Sequence, residues 1–338
     1  MGANNTSANV NKELYEKSEP FLQAHPDYDI SMLPKWVSDN IEVARVYGYR
    51  KKGIILPDGR KYHLDNHLND LSGREWTFFI NSVFSTHYPT SGKEAYAHHI
   101  RKVHPTPKPP QLMRDIIYFF TKEGELVFDS FMGVGGSLLG AALANRIAAG
   151  IEINQLYIDA YKDAATELGL PVFNTVCGDS LTILQNDGIM SDLLADQEIS
   201  LLLIDPPYSN MMSKEKTGAD ISVYGKIATP FSSSDLDLGN MDRNQFLGKL
   251  KESVELTLPY IKKRGYIIVF IKDLQPNKKD TNLLHAEVVD ILNQIPNIYY
   301  KGMKIWADES TKLYPYGYPF SFVANQIHQY ILVFRKEK

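Results

Sequence analysis

From about residue 111 onward, short aliphatic runs alternate with segments whose apolar residues recur at helical spacing. The runs Leu126–Asp129, Ala148–Ile153, Val172–Cys177, Ile199–Asp205, Gly265–Ile271, Ile298–Ile305 and Gln329–Arg335 predict seven strands. Most are aliphatic throughout, as expected for parallel strands covered on both faces. Helices are expected over Gln111–Thr121, Ser137–Asn145, Asn154–Leu168, Asn244–Lys263 and Asn282–Ile295. In the third of these, Asn154 stands as cap and Tyr157, Ala160, Tyr161 and Ala164 share one side. Such alternation predicts a doubly wound, mainly parallel seven-stranded α/β sheet.

The pattern ahead of residue 111 is less regular. Residues 1–11 are polar and predict disorder, and Lys12–Ala24 predicts a short helix. Pro57-Asp58-Gly59 between two apolar arms predicts a hairpin over Gly53–Leu64. Ser72 can cap a helix through Phe84, with Trp76, Phe79, Ile80 and Val83 at helical spacing. Thr86–Gln111, rich in Pro, Lys and Arg, reads as a basic loop around one short helix. The division expected is an N-terminal extension over 1–90 and a main domain over 91–338 with a loop at 210–240.

Composition narrows the class. The chain has 338 residues, 36 Lys and Arg against 40 Asp and Glu, a formal charge of −4 and one cysteine, Cys177. A nucleic-acid surface must then be a local basic patch. One cysteine excludes an internal disulfide framework and a cysteine-rich zinc site. No apolar signal region opens the chain and no run is long enough to span a bilayer, so a cytoplasmic location is expected.

The candidate chemistry sits at strand ends. Asp205-Pro206-Pro207-Tyr208 follows Ile199–Ile204. An acid at the carboxyl end of a parallel strand lies where ligands bind in open α/β sheets. The prolines hold the chain extended and remove two N–H donors, leaving carbonyl acceptors, a carboxylate and an aromatic ring. That set suits a planar group donating through an exocyclic amine, such as a nucleobase. Asp129-Ser130-Phe131-Met132-Gly133-Val134-Gly135 joins the first strand to a helix, and its glycines allow close backbone approach to a ligand. Glu152 ends the second strand, 19 residues beyond Gly133, where an acid can accept from ribose hydroxyls. Taken alone, the glycine loop and Glu152 would also suit a dinucleotide-dependent oxidoreductase or a tight strand–helix turn. Asp179, after the third strand, reads as an adenine-amine acceptor or as an ordinary helix cap.

Taken in order, these pieces resemble the amino-group DNA methyltransferases, which use S-adenosylmethionine to methylate adenine N6 or cytosine N4. His104-Pro105-Thr106-Pro107-Lys108-Pro109 is similar to that family's His-Pro-Thr-x-Lys-Pro segment. The loop from Asp129 is similar to its Asp-Pro-Phe-x-Gly-x-Gly, with Ser130 in the place of Pro. The resemblance covers about residues 100–275. It implies a Rossmann-like methyltransferase fold and S-adenosylmethionine held by His104, Thr106, Lys108, Asp129, Phe131, Gly133, Gly135, Glu152 and Asp179. Asp205, Pro206, Pro207 and Tyr208 would then carry the transfer. Double-stranded DNA is the implied partner, with its target base flipped out, and a companion restriction endonuclease is compatible with such an enzyme. The first residue of the tetrad favours adenine N6, as a Ser there leans to cytosine N4. Rival readings are an RNA guanine-N2 methyltransferase and a non-catalytic DNA-binding subunit. The cytosine-C5 class needs a Pro-Cys nucleophile, whereas Cys177 follows Val176.

Other features carry ordinary expectations. His98, His99 and His104 are joined by no acid or Cys at ligand spacing, and no metal site is expected. Arg50-Lys51-Lys52 and Arg60-Lys61 could touch phosphates or simply be solvated. Tyr314-Pro315-Tyr316-Gly317-Tyr318-Pro319-Phe320 is expected to pack under a loop, with stacking on bases as the rival.

Overall fold

A computed structural model describes residues 11–207, 238–273, 276 and 281–338. The chain falls into two compact units, residues 1–81 with 118–123, and residues 82–117 with 124–338. Among the described residues, no helix is long and apolar enough to cross a membrane.

The first unit is built on a small antiparallel sheet of β1 (Glu19–Pro20), β2 (Arg45–Tyr47), β3 (Gly53–Ile55) and β4 (Lys61–His63), in that order. The expected hairpin is present, with Ile54 paired to Tyr62. Phe21, Val37, Val46, Ile54 and Leu56 form its buried core. The hairpin cations are mostly neutralised: Lys51 pairs with Glu19 at 2.5 Å, Lys52 with Asp65 at 2.6 Å and Arg60 with Asp58 at 2.6 Å. Ser72 does cap a helix, in a capping box with Glu75. That helix stops at Phe79, however, and Val83 and Phe84 belong to a strand.

The second unit holds an eight-stranded sheet rather than seven. Its strands are β5 (Val83–Thr86), β6 (Leu126–Asp129), β7 (Ile147–Glu152), β8 (Asn174–Cys177), β9 (Ile199–Ile204), β10 (Ile261–Ile271), β11 (Ile298–Asp308) and β12 (His328–Lys336). Their order is β5-β11-β12-β10-β9-β6-β7-β8. Only the β10–β12 and β11–β12 pairs are antiparallel. The extra strand, β5, runs parallel to β11, with Ile305 opposite Val83. Helical spacing misleads at 80–84 because β5 is only four residues long, and Trp306 Nε1 ties it down by donating to Thr86 Oγ1 at 2.7 Å.

The middle strands are apolar because helices cover both faces. Every residue of β9 is buried, as is every residue of β6. Phe246, Leu250, Val254, Val288 and Leu292, on the helices Arg243–Thr257 and Leu284–Leu292, pack into the same core. The helix expected to reach Lys263 ends at Thr257, where Pro259 follows in a single 3-10 turn and β10 starts at Ile261. The chain runs outward from β6 through β7 to β8 and then returns to β9 on the other side of β6. This reversal makes the carboxyl ends of β6 and β9 the topological switch point, where an open α/β sheet has a crevice. Asp129 ends β6 beside Leu203, two residues before Asp205.

Candidate active site

The crevice is a cavity of about 270 Å³, at the lower edge of ordinary ligand pockets. His104, Thr106, Lys108, Asp129, Phe131, Gly133, Glu152, Asp179, Asp205, Pro206 and Pro207 all line it. Of the residues singled out in the sequence, Gly135 is absent from the lining and Tyr208 lies outside the described residues. Most of the 210–240 stretch, with Lys214, Lys216 and Tyr224, lies outside them as well.

Gly135 shapes the loop instead of facing the cavity. It has φ +69°, and a Cβ there would lie 2.2 Å from Tyr161 Cδ2. Only glycine meets both demands. Gly133, at φ +51°, donates its N–H to Glu152 Oε2 at 2.9 Å, while Asn154 N–H donates to Oε1 at 2.9 Å. One carboxylate thus fastens the glycine loop to the end of β7.

Asp129 is fully enclosed. Its carboxylate accepts from the Phe131 N–H at 2.9 Å and from the Ser137 hydroxyl. Burial outweighs these bonds and pushes its pKa up to about 7. Ser130, in the position where Pro is usual, is fully buried, and its hydroxyl has no hydrogen-bond partner among the described residues. Its carbonyl accepts from the Ser180 hydroxyl.

The segment from Tyr96 to Lys108 is held from inside by Arg101, 1 % exposed. Its guanidinium donates to the carbonyls of Tyr96 at 3.0 Å and Lys108 at 2.9 Å, and burial lowers its pKa to about 10. His104 Nδ1 accepts from the Thr106 N–H at 3.2 Å, and its ring meets Tyr157 edge-on at 4.9 Å. Burial drops its pKa to about 4, so this imidazole is neutral at physiological pH. Lys108 Nζ crosses the crevice to Asp205 Oδ1 at 2.8 Å and lies 5.4 Å from the centre of the Phe270 ring. Asp179 caps the helix Ser180–Leu184, accepting from the Thr182 N–H and hydroxyl, each at 2.8 Å, and also borders the cavity.

Lys272 and Gln329 are among the lining residues that escape the sequence reading. Lys272 follows β10 directly, so the strand-end rule that finds Asp205 would have found it too. Burial and the nearby Lys108 charge hold its pKa below the usual lysine value. Gln329 comes from β12, which enters the site antiparallel and near its amino end, where that rule does not look. His99 pairs with Glu167 at 3.2 Å on the surface.

The chain is similar to known proteins in sequence and in fold. Residues 4–163, a little under half of the chain, match the family model described as DNA methylase. The match ends before Asp205, so the place of Asp205, Pro206 and Pro207 rests on the geometry above. Type II methyltransferase M.HpaI of Haemophilus parainfluenzae is 38 % identical over 68 residues, 20 % of this chain and 22 % of that protein. Orphan methyltransferase M.BamHII of Bacillus amyloliquefaciens is 45 % identical over 56 residues, 17 % of this chain and 21 % of that protein. The chain therefore spans about a fifth of the length of these relatives. Among solved structures, TrmN from Thermus thermophilus aligns with a TM-score of 0.45 at 12 % identity, over 70 % of this chain and 52 % of that one. A methyltransferase from Pyrococcus furiosus aligns at 0.38 and 13 %, over 68 % and 84 %.

Proposed function

We infer, from the match of residues 4–163 to the DNA methylase family model and from the site's geometry, that this chain transfers a methyl group from S-adenosylmethionine to adenine N6 in double-stranded DNA. The observation that carries the reading is that Asp205 and Pro206 line one cavity with the glycine loop, Glu152 and Asp129, at the switch point of the sheet.

The residues present fit the cofactor. Glu152 stands at the end of β7, where it can take ribose hydroxyls while still holding Gly133 and Asn154. Asp179, His104, Thr106 and Lys108 border the same cavity. When bound, S-adenosylmethionine supplies an electrophilic sulfonium methyl.

An aryl amine is a weak nucleophile because its lone pair is delocalised into the ring. The Asp205 carboxylate and the Pro206 carbonyl each accept one N–H of that amine, drawing the nitrogen towards tetrahedral geometry and freeing the pair. Pro206 and Pro207 keep that carbonyl from competing backbone donors at their own positions. The proton leaving the methylated amine passes to Asp205. Tyr208 stacks on the base, which must leave the duplex to reach this depth. The crevice walls fix the approach, and positioning supplies much of the acceleration. Asp at the head of the tetrad favours adenine over cytosine.

The test is incubation of the chain with labelled cofactor and, separately, DNA and RNA, followed by nucleoside mass spectrometry. N6-methyladenine in DNA is expected. N4-methylcytosine would move the base assignment while keeping the roles, and N2-methylguanine in RNA would replace the substrate.

A further inference from the structure

β12 runs antiparallel to both β10 and β11, so β11 points the same way as β10 and β9. Its carboxyl end, Asp308, therefore opens on the sheet edge that bears Asp205. Residues 309–327 leave from this edge before returning as β12, and they hold the aromatic cluster.

That cluster is not packed under a loop, as its sequence suggests. Tyr318 is 81 % exposed, Phe320 92 % and Phe322 93 %. Nor is the loop a loose strap. Asn325 accepts from the Tyr314 N–H at 2.9 Å and donates back to the Tyr314 carbonyl at 2.8 Å. The Phe320 and Ser321 N–H groups donate to the Gly317 carbonyl at 2.7 and 2.8 Å. The rings border an open hollow of about 420 Å³. Such a group of solvated apolar side chains on a braced turn marks an interaction site.

We propose that this loop is a DNA-contacting surface of the enzyme, with Phe320 and Phe322 stacking on bases beside the extruded target. The inference rests on the reading of the site as a DNA methyltransferase. Three observations favour DNA over another protein or a lipid surface. The loop shares the sheet edge of the reacting carboxylate. Between Ser310 and Ile327 the only charged residue is a cation, Lys312, and the loop's one acid, Glu309, stands at its base, away from the aromatic tip, and accepts from the Ser85 hydroxyl. Its exposed tip is aromatic rather than aliphatic, and flat rings complement the base faces uncovered when a nucleotide leaves the stack.

The test compares the full chain with F320A/F322A and F320W/F322W. Binding to a fluorescein-labelled duplex is read by anisotropy over a range of salt, and cofactor binding by calorimetry. Because stacking is worth about 1–3 kcal/mol per base, the alanine pair should weaken duplex binding by about tenfold or more. Its salt slope should be unchanged, since no phosphate contact is lost. Cofactor affinity should be unaltered, and the tryptophan pair should restore DNA binding. Equal duplex affinity in wild type and the alanine pair would overturn this inference alone. So would sedimentation showing that the alanine pair only dissociates a dimer, or flotation of the wild type with phosphatidylcholine vesicles that the pair abolishes, with duplex affinity intact in each case. A wild-type chain that binds cofactor but no duplex overturns this inference and the functional reading together.

Discussion

The Lys108 ammonium donates to Asp205 Oδ1 at 2.8 Å, with side chains only 10 % and 21 % exposed. The carboxylate that is to take the substrate amine thus already holds a cation from the segment ahead of β6. Asp205→Ala should abolish methyl transfer while leaving cofactor affinity nearly unchanged. It should also strand the Lys108 charge, at a cost approaching about 3 kcal/mol, as expected for breaking a largely buried pair. Single-turnover assays, calorimetry and urea melts read the three effects separately. Near-normal turnover would sink the proposed role.

Glu152 serves two ends at once. Its oxygens hold the backbone of Gly133 and Asn154, so Glu152→Ala should loosen the glycine loop as well as remove the ribose acceptor. Cofactor binding should weaken by about 1.5–3 kcal/mol, the range for a bond to a charged group. The melting temperature of the unliganded protein should fall in parallel. Unchanged calorimetric affinity would show that Glu152 does not meet the cofactor.

Gly135 and Gly169 separate crowding from backbone preference. Both have positive φ, but a Cβ at Gly169 would meet open space, whereas one at Gly135 would strike Tyr161. Gly169→Ala should cost about 1 kcal/mol, and Gly135→Ala about 1–3 kcal/mol more through overpacking. Equal urea midpoints for the two variants would contradict the contact.

Asp129 and His104 oppose each other in pH. Burial raises Asp129 from 3.8 to about 7, so between these values the folded chain holds a proton that the unfolded chain has lost. Its contribution is full below about pH 4 and is lost as pH rises to 7. His104 falls from 6.5 to about 4, so its contribution is present above pH 6.5 and lost as pH falls towards 4. The slopes oppose each other in one window. Asp129→Asn should therefore make stability rise more steeply from pH 4 to 6.5, and His104→Gln should make it fall more steeply from pH 4 to 7. Denaturant melts at half-unit pH intervals check both signs.

The sequence is most informative where one residue type has one physical reason to occur. β6 matches its expected bounds because four consecutive buried residues leave it no solvated face. Asn154 and Ser72 start their helices as expected, since a side-chain acceptor is what the first free N–H groups require. Arg101 was hidden among the cations of a basic loop. Nothing in its neighbours reveals that two carbonyls would satisfy it in the interior. The aromatic loop departs from its expected burial for a related reason, because a ring's apolarity predicts burial only if some surface covers it. Lys272 stands at a strand end and was open to the same rule as Asp205, whereas Gln329 reaches the site through strand order, and order is a property of the whole sheet.

β5 has a practical meaning for anyone cutting this protein. It shields the outer flank of β11, an eleven-residue strand whose backbone groups would otherwise meet water over residues 305–308. A fragment begun at residue 91 would discard β5 and the Thr86 anchor of Trp306 together. It would present bare backbone to its own copies, the usual origin of strand-to-strand clumping. A fragment begun just before Ser82 keeps that flank closed. Precipitation of the shorter piece would then report a lost strand, and would say nothing about any role of residues 1–90.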